Sequence, residues 1–162
     1  MSDTAFEFFD SKEELLDGKI VALASPTINH YRVCRNVLRE LERNLAGKNR
    51  NCEAFGEGID VYLEKDIVIP DALVVCDKSI IKNRGIMGVP DIIVEVLSPG
   101  TETKDRGYKK ELYERSGVKE YWIVDINNRA VEKYILVNEK YILGKSGITI
   151  NSDEIFKDLL TD

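Results

Sequence analysis

Two carboxylates and a lysine stand out in this sequence because of where they lie. Asp71 follows an apolar segment, Glu95 interrupts the apolar run 92–97, and Lys109 comes shortly afterwards in a basic segment. A buried carboxylate is costly unless it is paired or binds a cation. Oxygen ligands, a metal-activated water and a nearby positive charge are what hydrolysis of a phosphodiester requires. Asp71, Glu95 and the backbone carbonyl of Val96 are therefore candidate ligands of Mg²⁺ or Mn²⁺, with Lys109 stabilising the negative charge that develops on phosphate.

A purely structural interpretation of these residues is equally compatible with their spacing. Asp71 would shape the entry to a strand after Pro70, Glu95 would pair with a lysine of the next helix, and no metal would bind. The basic segment is also ambiguous, because Glu111 and Glu114 within it are typical of a solvated helix face. Its basic residues are Lys104, Arg106, Lys109, Lys110 and Arg115.

Composition restricts the class of protein. A chain of 162 residues, 43% hydrophobic and 32% charged, is predicted to form a single domain over residues 1–162. No apolar run is long enough for a membrane span, and the acidic N-terminal segment lacks the order of a signal peptide, which predicts a cytoplasmic protein. The net charge of −6 requires any nucleic-acid contact to be local.

Three cysteines, Cys34, Cys52 and Cys76, are widely spaced and accompany a single histidine. An odd number without a C-x-x-C pair argues against a zinc site or a disulfide framework. We expect all three to be buried, unpaired thiols in a reducing compartment.

Periodicity predicts an α/β protein with a mixed sheet. A first short helix is predicted over 11–17, a long amphipathic helix after Thr27 that ends at Gly47, and another helix over 105–116 closed by Gly117. A terminal helix is expected at about 153–160. Strands are predicted at 19–24, around 59–63, at 67–69, 72–75, 92–97, 120–124, 130–137 and 140–143. A hairpin turn is predicted at Asn138-Glu139, and Trp122 is expected to lie in the core.

Several ordered blocks of the sequence resemble a known family. They are 14–18 with Ser25-Pro26, then Ile69-Pro70-Asp71, the run 89–99, Asp105 and Lys109 with Tyr113, and finally 117–125. Together they resemble the Uma-two family of restriction-endonuclease-like proteins, within the PD-(D/E)XK nuclease superfamily. The resemblance extends from about residue 10 to residue 140. It implies a restriction-endonuclease-like α/β fold, a mixed β-sheet flanked by helices.

The resemblance also implies an activity and the residues for it. A DNA endonuclease would hold its metal with Asp71 and Glu95. The superfamily lysine two residues after the glutamate is replaced here by Leu97, and the resemblance places the substitute on the next helix at Lys109. Lys104 and Lys110 are the other lysines close enough in sequence to take this role.

Two more residues match the family. Glu14 resembles an acidic residue that faces the metal centre, although it could equally form a capping box with Ser11. His30 matches a histidine at the start of the long helix, where it could contact the scissile phosphate or transfer a proton.

The partner implied is DNA, with no membrane. A homodimer formed through an exposed strand of the 130–143 hairpin is one way for such an enzyme to cut both strands. Because Leu97 departs from the motif and the chain is acidic, an inactive DNA-binding or assembly module with the nuclease fold is the main alternative. A hydrolase of smaller phosphate compounds is a third.

Overall fold

The computed structural model describes residues 13–48 and 51–162. The helices of this part are α1 Ile28–Gly47, α2 Glu102–Arg106, α3 Tyr108–Ser116 and α4 Ser152–Ile155. The strands are β1 Glu13–Leu16, β2 Lys19–Ala22, β3 Glu53–Phe55, β4 Val61–Leu63, β5 Asp66–Val68, β6 Ala72–Val75, β7 Ile81–Lys82, β8 Gly85–Ile86, β9 Ile92–Val96, β10 Glu120–Asp125, β11 Ala130–Val137 and β12 Lys140–Leu143. No helix among these described residues is long and apolar enough to cross a membrane.

The strands divide between two six-stranded sheets. The first sheet has the order β2-β1-β5-β4-β8-β7, and the second sheet has the order β12-β11-β10-β9-β6-β3. Each contains one parallel pair, β4 with β8 and β9 with β10, among antiparallel neighbours. The α/β class with mixed sheets is therefore confirmed, but the sequence did not predict the division into two sheets.

The central strands of the second sheet are covered on both faces. On β9 and β10, Val94 and Trp122 pack with α1 on one face, whereas Ile93 and Tyr121 pack on the other face with residues of α3 and the first sheet. Because side chains alternate along a strand, Glu95 lies on the same face as Ile93. Trp122 is fully buried as predicted, and Tyr121 is fully buried too because both faces of β9 and β10 are covered.

Helix α1 forms where the sequence predicts it. The Thr27 side chain caps the helix by accepting a hydrogen bond from the backbone N–H of His30 at 3.1 Å. Val33, Val37 and Leu41 recur every four residues and are fully buried against the second sheet. The cap and this buried stripe fix His30 in the first turn of the helix.

The predicted helix over 11–17 is wrong, because residues 13–16 form strand β1; residues 11 and 12 lie outside the described part. β1 pairs with β2 across Asp17-Gly18, both of which have positive φ. An Asp-Gly pair between two strands is a strong hairpin signal that the helical interpretation missed. Glu14 thus lies on a strand, which excludes the capping-box role.

The helix predicted over 105–116 is two helices, α2 and α3, which meet at Gly107. The backbone at Gly107 has φ −107° and ψ −102°, which leaves the helical region. A Cβ there would lie 2.9 Å from the carbonyl oxygen of Thr103, so the break suits glycine. The predicted C-terminal stop is confirmed, because Gly117 has a left-handed φ of 89°.

The C-terminal part follows the predicted order of elements. The hairpin between β11 and β12 turns at Asn138-Glu139, where both residues have positive φ as a type I′ turn requires. The last helix is shorter than predicted, since α4 ends at Ile155 and Asp158 has a φ of 61°.

The prediction that all three cysteines are unpaired is wrong. Cys52 and Cys76 form a disulfide, while Cys34 is free and buried. The two partners flank the paired residues Glu53 and Val75 of β3 and β6, so the register of the sheet places them opposite each other. Because the two cysteines are 24 residues apart in sequence, the local pattern did not predict that they lie next to each other. The cysteines therefore give no support to a reducing compartment.

Candidate active site

The antiparallel pairing of β6 with β9 brings the two sequence-predicted carboxylates together. Ala72 pairs with Val94, so Asp71 and Glu95 are the next residues along the two strands. The Asp71 carboxylate oxygen Oδ2 accepts a hydrogen bond of 2.6 Å from the backbone N–H of Val96. This hydrogen bond fixes Asp71 just before the start of β6, next to the strand that carries Glu95.

Lys109 lies between two buried carboxylates. Its Nζ donates to Oε1 of Glu14 at 2.6 Å and to Oε1 of Glu95 at 3.0 Å. Glu95 also accepts a hydrogen bond from the Tyr113 hydroxyl at 2.9 Å, and Glu14 from the backbone N–H of Ile69 at 2.9 Å. Pairing of Glu95 with a helix lysine is thus present, as the structural interpretation required, but a second carboxylate shares the same ammonium.

Burial and charge set the protonation of this group. Burial raises the pKa of Glu95 well above its ordinary value, and the Lys109 ammonium only partly offsets this. Burial lowers the pKa of Lys109, but the carboxylates of Glu95 and Glu14 outweigh burial and raise it. Lys109 therefore remains a fixed positive charge, suited to stabilise an anion and unsuited to accept a proton.

Lys104, five residues before Lys109 and on α2, donates to Oε2 of Glu14 at 3.3 Å. Leu97, where the superfamily has its lysine, is a buried apolar residue. Lys110 takes no part in this group, because its Nζ lies over the ring of Tyr134.

The outer residues of the basic segment are engaged in other contacts. Arg106 forms two hydrogen bonds with the Glu132 carboxylate, at 2.8 and 3.0 Å. Arg115 lies 3.7 Å from Asp66 and donates to the Tyr108 hydroxyl. The segment is therefore not one continuous basic face.

His30 joins the group from α1. Its Nε2 lies 3.0 Å from the carbonyl oxygen of Val96 and 3.6 Å from Oδ2 of Asp71. A carbonyl only accepts hydrogen bonds, so this contact assigns the hydrogen to Nε2. Burial lowers the pKa of His30, but the hydrogen bond and charge of Asp71 outweigh burial and raise it above the ordinary value.

Asp105 is a further acidic residue that the prediction of site residues missed. It is 2% exposed, and its Oδ1 has no hydrogen-bond partner among residues 13–48 and 51–162. Burial raises its pKa to about 6, despite the opposing charge of Lys109. Its place beside Lys109 in the matched sequence block was a signal that could have identified it.

These side chains surround one cavity of about 460 Å³, bordered by the N-terminal end of α1 and by α2. Its lining includes His30, Glu57, Asp71, Glu95, Asp105 and Lys109. Four of these residues carry carboxylates, and one carboxylate has an unpartnered oxygen. Such a set suits a divalent cation that prefers hard oxygen ligands. The cavity also opens to solvent and carries a lysine that stays charged, so it can accommodate an anionic substrate next to such a cation.

The mixed-sheet α/β fold, with an aspartate, a glutamate and a buried lysine around one cavity, agrees with what the sequence resemblance to restriction-endonuclease-like proteins implies. Consistent with this, the fold resembles the crystal structure of "a putative nuclease belonging to DUF820" from Anabaena variabilis, with a TM-score of 0.72, 17% identity and 89% of each chain covered. The chain belongs to the Uma2 family, described as "Putative restriction endonuclease", whose model matches residues 7–159.

Two curated relatives come from Synechocystis. The uncharacterized protein slr1290 is 29% identical over 126 residues, which cover 76% of this chain and 65% of that protein. The uncharacterized protein sll1609 is 26% identical over 134 residues, which cover 80% of this chain and 75% of that protein. The chain thus spans less than two thirds of the length of slr1290.

Proposed function

We propose that the protein is a metal-dependent endonuclease that hydrolyses phosphodiester bonds in DNA. The observation that carries the proposal is Lys109, a buried ammonium held by Glu14 and Glu95 beside Asp71. A charged lysine at this position supplies the positive charge that the apolar side chain of Leu97 cannot supply. This set of residues favours a catalytic protein over an inactive module with the same fold.

The proposed ligands of Mg²⁺ or Mn²⁺ are Asp71, Glu95 and the carbonyl oxygen of Val96. The Val96 carbonyl already accepts from His30, but its oxygen has a second lone pair for a cation. The unpartnered Oδ1 of Asp105 adds negative charge to the same cavity. When bound, the ion would act as a Lewis acid and would lower the pKa of a water molecule bound to it.

The side chains of the protein have distinct proposed roles. Lys109 stabilises the negative charge on the phosphate oxygens through its fixed ammonium. Glu14 positions Lys109, because it accepts the shorter of the two hydrogen bonds that this ammonium donates. For His30, which lies beside Asp71, we propose contact with the scissile phosphate and, in its protonated form, donation of a proton from Nε2.

The proposal is tested by nicking of supercoiled DNA and cleavage of single-stranded DNA with Mg²⁺, Mn²⁺ or EDTA. Glu95→Gln and Asp71→Asn should each reduce metal-dependent cleavage by about 100-fold or more. The matched control is Glu132→Gln, which changes a carboxylate that pairs with Arg106 and does not line the cavity. This control should retain cleavage.

Two outcomes would contradict the proposal. Absence of cleavage with either metal, together with absence of calorimetric metal binding, would favour the inactive module. Hydrolysis of a small phosphodiester such as bis(p-nitrophenyl) phosphate without salt-sensitive binding of duplex DNA would favour a small-phosphate hydrolase.

The proposed assembly is a homodimer. β12 is the last strand of the second sheet, and its Ile142 and Leu143 are exposed. An exposed apolar edge strand is a site where a second chain can pair. Sedimentation of the wild type and an Ile142→Lys variant tests this, because a dimer formed there should dissociate in the variant.

A further inference from the structure

A second set of possible metal ligands lies against the candidate active site. The donor atoms of His30, Cys34, Glu57 and Asp71 all lie within 4.8 Å of one another. Asp71 is shared with the proposed nuclease site, whereas Cys34 and Glu57 have no role in the proposed hydrolysis. We refer to these four residues as the thiol cluster.

The orientation of His30 suits a metal ligand. His30 and Cys34 are four residues apart on α1, so both side chains lie on one face of the helix, with Nδ1 of His30 3.6 Å from Sγ of Cys34. In the neutral imidazole the contact with the Val96 carbonyl places the hydrogen on Nε2, so Nδ1 has the lone pair and directs it toward the cluster. A histidine that binds a metal through one nitrogen commonly donates its other N–H to a backbone carbonyl in this way.

The donor set selects a type of ion. A thiol sulfur and an imidazole nitrogen beside two carboxylates suit Zn²⁺ and similar thiophilic ions better than Mg²⁺ or Ca²⁺. Tetrahedral ligands about 2.1 Å from an ion lie about 3.4 Å apart. No two donor atoms of the cluster are more than 4.8 Å apart, so small side-chain rotations would bring them to this spacing. Glu57 is exposed and can rotate with little resistance.

We propose that the thiol cluster binds a thiophilic divalent transition-metal ion, such as Zn²⁺, with Cys34 as a thiolate ligand whose Sγ proton is released to solvent when the bond to the metal forms. One consequence rests on the proposed nuclease function. Zn²⁺ should inhibit the cleavage that Mg²⁺ supports, because Zn²⁺ in the thiol cluster would engage Asp71. Binding itself does not depend on the protein being a nuclease.

The test is a Co²⁺ titration of the full chain with its Cys52–Cys76 disulfide intact. A thiolate-to-cobalt charge-transfer band in the near ultraviolet should appear and disappear when Zn²⁺ is added. Cys34→Ser should abolish the band, and Glu57→Gln should weaken Co²⁺ affinity by more than about tenfold. The fluorescence of Trp122, the single tryptophan, verifies that each variant is folded.

The Glu95→Gln variant distinguishes metal binding by the thiol cluster from the proposed nuclease activity. It should remove cleavage while leaving the Co²⁺ band, because Glu95 does not belong to the cluster. No band at millimolar Co²⁺, or a band that persists in Cys34→Ser, would overturn the proposal and leave Cys34 as a buried thiol that binds no metal. If the band forms as expected but the wild type has no nuclease activity, only the inhibitory consequence fails.

Discussion

Replacement of Lys109 by methionine is the sharpest test of the charge balance in the cavity. Methionine is close to lysine in length, so the change removes the ammonium with little change in packing. Lys109 is 2% exposed and donates to Glu14 at 2.6 Å and to Glu95 at 3.0 Å. The variant therefore leaves two buried carboxylates without their shared partner.

The expected loss follows from these contacts. Removing one partner of a buried ion pair costs about 3–5 kcal/mol. The lower end is expected here, because Glu14 keeps Lys104 at 3.3 Å and because burial favours the neutral form of Glu95. We expect Lys109→Met to lower the free energy of unfolding of the metal-free protein by about 3 kcal/mol. The loss should be smaller at acidic pH, where Glu95 binds a proton.

Urea denaturation in EDTA, followed by the fluorescence of the buried Trp122, measures this difference. Lys110→Met is the matched control on the same helix. Lys110 lies over the ring of Tyr134 at 3.9 Å, and its loss should cost no more than about 1 kcal/mol.

A double variant, Glu14→Gln with Lys109→Met, shows whether charge is the cause. It removes one negative and one positive charge together, so it should be more stable than Lys109→Met alone by about 1–2 kcal/mol. The reasoning is refuted if Lys109→Met costs less than about 1 kcal/mol, or if the second substitution destabilises the protein further.

Two further predictions concern stability. Asp105 has a pKa of about 6 when folded against 3.8 as its ordinary value, so the folded protein binds this proton more tightly. The free energy of unfolding in EDTA should therefore fall as pH rises from about 4 to about 6, by up to about 3 kcal/mol relative to Asp105→Asn measured over the same range. Reduction of the Cys52–Cys76 disulfide, which spans 24 residues, should lower the free energy of unfolding by about 3 kcal/mol. A protein carrying Cys52→Ala and Cys76→Ala should show this loss and no response to reductant, and an unchanged stability would contradict the pairing.

The regular elements of the fold were largely predictable because their signals are local. The stripe of Val33, Val37 and Leu41 predicted α1, and the run 92–97, which is rich in β-branched residues, predicted the strand that became β9. Gly117 was correctly expected to end its helix. The errors came from turns and breaks, where the Asp17-Gly18 hairpin was taken as the end of a helix and Gly107 was not recognised as a break between two.

Among the candidate site residues, the sequence itself determined their chemical types and the strands or helices that carry most of them. Asp71 and Glu95 stood out because a carboxylate at an apolar strand requires a partner. Only the tertiary structure decided what those partners are. Glu14 and Lys109 are separated by 95 residues, and Cys52 and Cys76 by 24, so sheet register and packing of helices, rather than local spacing, bring them together. Contacts of this kind depend on how whole elements pack, and a local pattern of residues contains no record of that packing.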